Sequence, residues 1–267
     1  MTKVTKPVMH NKYGKGVLLP ASPTPVVTTT TLPHNPKPGK FLVIEGLDGS
    51  GKTVQLQMLV QNLQQMQRDP LVIDLPDYTG TLFGSLAGHY LNGTFGALNE
   101  VAPEVAAWLY AGDRLQQRDR IRHALAQGRW VISNRWVSSS EAFLSARVAP
   151  GPSRTQFINW LNRVEYEANW LPHPDLTFFL DVPPEYSVKM VAQKDVALRS
   201  YTEKTLDLHE ESPLNFHNTV RAEYVRMGTG RSNWCWIEVL NPTTGAYYYP
   251  HLIQQRILDA IKAHSTW

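Results

Sequence analysis

Cysteine is nearly missing from these 267 residues: Cys235 stands alone, so no internal disulfide can form. It lies between Trp234 and Trp236 in an apolar run, where a core position is a simpler account than a reactive thiol. Long apolar runs are missing as well. None approaches the roughly 20 residues of a membrane-spanning helix, and the N-terminus lacks the apolar segment of a secretory signal. The expectation is a cytoplasmic chain with no membrane partner. Acids are missing from residues 1–40, which hold six lysines, whereas the rest of the chain holds 20 basic and 23 acidic side chains. The formal charge of +3 therefore belongs to the tail. Without a basic body, a nucleic-acid partner is not expected.

What is present divides at residue 41. Residues 1–40 contain seven prolines and seven threonines, with no arginine and no apolar periodicity. They read as a flexible Pro/Thr-rich extension; a targeting role is the alternative, opposed by the prolines and the missing arginine. Residues 41–267 read as one domain. Phe41-Leu42-Val43-Ile44 is a continuous apolar run, followed by a glycine-rich turn and then Leu56, Leu59, Val60 and Leu63 at helical spacing. Further short runs at Leu71–Ile73, Trp130–Ile132, Leu176–Leu180 and Trp234–Leu240 alternate with helix-length stretches. One of these, Pro103–Gln127, opens on proline and glutamate and closes at Gly128. Continuous apolarity predicts strands covered on both faces. The fold class expected is α/β, a three-layer P-loop sandwich of a parallel five-stranded sheet with about eight helices on its two faces.

Gly46-Leu47-Asp48-Gly49-Ser50-Gly51-Lys52-Thr53 satisfies G-x-x-x-x-G-K-[ST] between a predicted strand and a predicted helix, the context the pattern requires. Its glycines let successive backbone N–H groups turn toward phosphate oxygens at the positive end of a helix. Lys52 is expected to bridge the terminal phosphates and Thr53 to offer its hydroxyl to Mg2+. Gly46, Asp48, Gly49, Ser50, Gly51, Lys52 and Thr53 form the candidate ATP site. The loop alone says only that a nucleoside triphosphate is bound and its phosphate released or transferred.

Beyond the loop the chain resembles the thymidylate kinases over nearly all of residues 41–263. Ile44-Glu45-Gly46-Leu47-Asp48 is similar to that family's loop, which implies that Asp48 faces the acceptor sugar. Leu75-Pro76-Asp77-Tyr78 is similar to its proline-containing loop, which implies that Tyr78 contacts the substrate, although an arginine often found near Tyr78 is absent; the alternative is an ordinary strand-to-helix turn. Trp108-Leu109-Tyr110-Ala111-Gly112-Asp113-Arg114 resembles the segment in which an aromatic ring stacks on thymine and an arginine reaches its carbonyl. Residues four apart share a helix face, so Tyr110 and Arg114 can meet one ring; the bland alternative puts Tyr110 in the core and Arg114 in a surface ion pair. Asn134-Arg135-Trp136 stands where the family has Asp-Arg followed by Tyr or His. Arg135 then clamps the acceptor phosphate, while Asn134 removes a charge that would help hold magnesium. Ser139 is a further candidate for the monophosphate or base. His209, in Asp207-Leu208-His209-Glu210, borders the sugar or is simply a loop histidine.

Residues 194–212 look like the family's lid. With no arginine in the phosphate loop, the resemblance implies a catalytic cation from the lid, Arg199 first, then Lys194 or Lys204. It further implies phosphoryl transfer from ATP to dTMP giving ADP and dTDP, with Mg2+, in a homodimer. The alternatives are a kinase of another or several deoxynucleoside monophosphates, and a nucleotide-binding protein with little turnover.

Overall fold

The computed structural model describes residues 39–193 and 206–264. Five strands, β1 (Phe41–Glu45), β2 (Leu71–Asp74), β3 (Val131–Asn134), β4 (Leu176–Asp181) and β5 (Trp234–Glu238), form one sheet in the order β2-β3-β1-β4-β5. All its pairings are parallel. Among the described residues eight α-helices accompany it: α1 (Lys52–Gln65), α2 (Leu82–Leu91), α3 (Pro103–Ala126), α4 (Val137–Ser145), α5 (Pro152–Asn162), α6 (Pro184–Ala192), α7 (Leu214–Gly230) and α8 (Pro250–Ala263). One turn of π-helix, Arg163–Ala168, extends α5.

The continuous apolarity of β1 has its reason in two cores. Leu42 and Ile44 pack with Leu56 and Leu59 of α1 and with Ile253 and Ile257 of α8. Phe41 and Val43 turn the other way, to Ile121 and Ala124 of α3 and to Trp136. On that second face Phe179 of β4 meets Tyr224 and Met227 of α7. The sheet is thus the middle of three layers, and its central strand is buried on both sides.

The edge strands differ from that expectation. β2 alternates buried and exposed residues, and Trp236 of β5 is 42% exposed, because each has a neighbour on one side only. β5 also ends at Glu238, short of Leu240, which forms an isolated antiparallel bridge with Tyr247. Gly39 and Lys40 already lie against the domain: Gly39 N–H donates to the Leu125 carbonyl and Lys40 pairs with Asp175. Residues 1–38 lie outside the described residues, as do Lys194, Arg199 and Lys204.

Candidate active site

β1 runs straight into the phosphate loop, and the loop into α1. Gly46 has φ 148°, and a Cβ there would stand 2.7 Å from the Leu180 carbonyl oxygen. Gly49 has φ 74°, and a Cβ there would stand 2.8 Å from the Met190 Cβ. Both positions therefore require glycine, and no arginine can project from position 49. Lys52 is buried at the start of α1, its ammonium donating to the carbonyls of Leu47 at 2.7 Å and Gly46 at 3.2 Å. Thr53 is exposed beside it and spends its hydroxyl on no other described residue. Ser187 of α6 donates to the Asp48 carbonyl at 2.6 Å and so fixes the loop from behind.

From the other side of the loop, Arg135 Nη2 donates to Asp48 Oδ1 at 2.5 Å, and Nη1 donates to Ser139 Oγ at 3.0 Å. Burial alone would raise the Asp48 carboxyl, but the charges of Arg135 and Lys52 override it and hold it well below the usual carboxylate range. Arg135 has φ 66°, a conformation disfavoured for any residue with a Cβ. Surrounding structure enforces it, chiefly Glu45. That carboxylate is completely buried and accepts from Trp136 N, Ser138 Oγ and Ser139 N through Oε1, and from Ser139 Oγ and Tyr224 OH through Oε2. The last residue of β1 thereby pins the turn that carries Arg135. Ser139 gives its hydroxyl proton to Glu45 and its Oγ accepts from Arg135, so it orients the guanidinium.

One cleft, about 610 Å³ including its open mouth, joins this corner to α3. Asp48, Tyr78, Tyr110, Arg114, Arg135, Ser139 and His209 all line it. Arg114 is an ion pair, but a buried one. Its Nε donates to Glu165 Oε2 at 3.2 Å, its Nη2 donates to Glu165 Oε1 and also to Ser140 Oγ at 2.8 Å. Burial would weaken the cation, and Glu165 more than offsets this, raising its pKa. Both N–H groups of Nη1 are left uncommitted to any described residue. Glu165 lies on the π-turn, an irregularity frequent at functional sites. Asp113 holds the opposite rim: its carboxylate accepts from Thr81 Oγ1 at 2.5 Å and from Asp77 N at 3.0 Å.

His209 is buried in the far wall, stacked on Phe143 with ring centroids 5.2 Å apart. Arg147 donates to the Tyr90 hydroxyl oxygen, and that hydroxyl stands within hydrogen-bond distance of His209 Nε2, at 3.4 Å. Burial pushes the histidine pKa down to about 3, so the ring is neutral. Glu45, Asp113, Ser140, Phe143 and Glu165 carry no role in the sequence reading. Only Glu45 leaves a local signal there, as an acid closing an otherwise apolar strand.

A glycine loop at the end of a central parallel strand, a buried lysine opening the next helix, and an adjoining cleft with cations and an aromatic wall define a P-loop phosphotransferase acting on nucleotides. The family model for thymidylate kinase matches residues 44–246. The thymidylate kinase of Caldanaerobacter subterraneus subsp. tengcongensis is 30% identical over 190 residues, 71% of this chain and 81% of the relative. That of Carboxydothermus hydrogenoformans is 31% identical over 195 residues, 72% of this chain and 90% of the relative. The thymidylate kinase structure from Candida albicans superimposes with a TM-score of 0.63 at 21% identity, covering 85% of this chain and 93% of that one. The chain belongs to the thymidylate kinase family, and is a nucleoside monophosphate kinase that uses ATP as phosphoryl donor.

Proposed function

We propose that this protein transfers the γ-phosphoryl group of ATP to dTMP, giving ADP and dTDP. The observation that carries the reading is the single cleft in which Asp48 of the phosphate loop, Arg135 and the Tyr110–Arg114 pair meet. Tyr110 stacks on thymine, and the uncommitted Nη1 of Arg114 donates to a base carbonyl. Arg135 holds the acceptor phosphate, and Asp48 accepts from the sugar hydroxyl. His209 and Phe143 present an aromatic wall beside the sugar. An acceptor phosphate dianion is already a competent nucleophile, so the protein's contribution is alignment and charge neutralisation in place of a general base. Lys52 exchanges its loop carbonyls for phosphate oxygens, and a lid cation, Arg199 by this reading, spreads charge on the transferring group.

Magnesium, held in part by the Thr53 hydroxyl, would supply charge neutralisation to the nucleotide phosphates. The residues fit it: hard oxygen donors suit this ion, and the Thr53 hydroxyl is uncommitted among the described residues. The assembly read here is a homodimer in the cytoplasm. In support, Val105, Trp108 and Leu115 expose apolar side chains along one face of α3, and sedimentation of Trp108→Lys against the parent checks it.

The activity is tested by ADP formation with dTMP, dUMP, dCMP, dGMP and dAMP in parallel, with Lys52→Ala as blank. Preference for dTMP, lost in the blank, is expected. Equal use of several acceptors would mark a broader monophosphate kinase, and binding without turnover would mark a nucleotide-binding protein on a kinase fold.

A further inference from the structure

Asn134 closes β3 and is paired in register with Asp74, which closes β2. Its Nδ2 donates to Asp74 Oδ1 at 2.7 Å. An ionised carboxylate only accepts, so this bond decides which way round the amide stands. Oδ1 is then the other arm, and it is buried with no hydrogen-bond partner among the described residues, on a side chain belonging to a residue 8% exposed. A buried carbonyl left unsatisfied is costly, so a native structure that keeps one calls for an explanation. The sheet order supplies its surroundings. β3 lies between β2 and β1; the amide nitrogen faces β2, and on the other side Asn134 is in register with Ile44, two residues before the phosphate loop begins. Asp74 is exposed at the same end of the sheet.

We propose that Asn134 and Asp74 together form the strand-end half of the magnesium site, with Asn134 Oδ1 accepting from a water carried by the ion and Asp74 supplying negative charge through the amide. P-loop enzymes commonly place a carboxylate on a strand beside the loop for this purpose. Here the side chain at that place is neutral, and the acid stands one strand further out, joined to it by a hydrogen bond. Polarised by Asp74, the amide oxygen is a stronger acceptor than an amide alone. Magnesium suits such an arrangement because it retains several of its waters and is held largely through them. This inference rests on the reading of the loop as a magnesium–nucleotide site.

The test reads binding. ADP is titrated calorimetrically into the full chain, in EDTA and across a magnesium series, for the parent, Asp74→Asn, Asn134→Asp and the double exchange Asp74→Asn/Asn134→Asp. Asp74→Asn preserves size at an exposed position. It is expected to leave ADP binding in EDTA unchanged and to raise the magnesium concentration for half-maximal tightening by about tenfold, the low end for groups that support a metal's ligands. Asn134→Asp is expected to lower that concentration, and the double exchange to return it toward the parent value. An unchanged magnesium series in Asp74→Asn, with ADP still bound, would overturn the proposal. So would an equal loss of ADP binding in EDTA, which would make Asp74 a support of the loop itself. Failure of the parent to bind ADP under either condition would overturn the nucleotide-site reading and this inference with it.

Discussion

In the cleft proposed for the acceptor the polar groups hold one another, whereas at the phosphate loop several have no partner among the described residues. Arg114 is gripped side-on by Glu165 and steadied by Ser140, Arg135 is tied to Asp48 and Ser139, and Asp113 pins the loop at Asp77 and Thr81. Across the same corner the Ser50 hydroxyl and Asn134 Oδ1 are buried without partners among the described residues, and Thr53 is uncommitted. Lys52 donates to carbonyls of its own loop. The contrast separates two ways of building a site. The acceptor side fixes its geometry during folding, so little ordering remains when the monophosphate arrives. The donor side leaves polar atoms for the ligand and its ion to satisfy.

The largest effect expected on either side comes from Glu165→Ala, which strands the Arg114 charge in the interior. Urea unfolding should show a loss of about 3–5 kcal/mol. Replacing both partners, Arg114→Leu with Glu165→Leu, should recover most of that stability while dTMP binding stays lost, which separates the pair's part in the fold from its part in recognition. On the donor side Lys52→Ala should reduce turnover by about 10²–10³-fold, the scale of removing one preorganised cation or donor from a transition state, and leave dTMP binding and unfolding midpoints near the parent's. If dTMP binding falls equally, the two regions are not separate.

An intermediate effect follows from His209. Its native pKa of about 3 lies below the ordinary 6.5, so as pH falls through the ordinary value the unfolded chain takes up a proton that the native ring refuses. The stability contributed by this one group should therefore be intact above about pH 7 and decline on acidification by at most about 1.4 kcal/mol per pH unit, with His217 and His173, also depressed by burial, adding to the total slope. Between about pH 6.5 and 4.5, before ordinary carboxylates titrate, His209→Phe should flatten this slope in denaturant titrations. Smallest is Ser140→Ala, which removes one hydrogen bond from Arg114. About 1 kcal/mol is at stake, so the KM for dTMP should rise about fivefold with the KM for ATP unchanged.

The same contrast governs what the sequence discloses. The donor loop is contiguous, so strand, glycines, lysine and helix are all visible in residues 41–65, as is the central sheet to which they belong. Tyr110 and Arg114 are visible through the resemblance of residues 108–114 to the family's base-reading segment, and helical spacing is compatible with it because it brings them to one face. Glu165 is not: it reaches Arg114 across 51 residues and from a π-turn, and its side chain alone reads as an ordinary surface acid. Asp74 and Asn134 meet only through strand register, 60 residues apart, which no local pattern encodes. The strand ends at Asp74 and Glu238 were equally opaque, since being an edge is a property of the assembled sheet.

The most direct test of a prebuilt acceptor cleft is calorimetric titration of the parent chain with dTMP and with dCMP, in EDTA and without any triphosphate. The account predicts that dTMP binds under these conditions at least about tenfold more tightly than dCMP, whose amino group would set a donor against the donors of Arg114, a difference of about 1.4 kcal/mol. No binding of dTMP until ATP and magnesium are added, or equal affinity for the two, would contradict it.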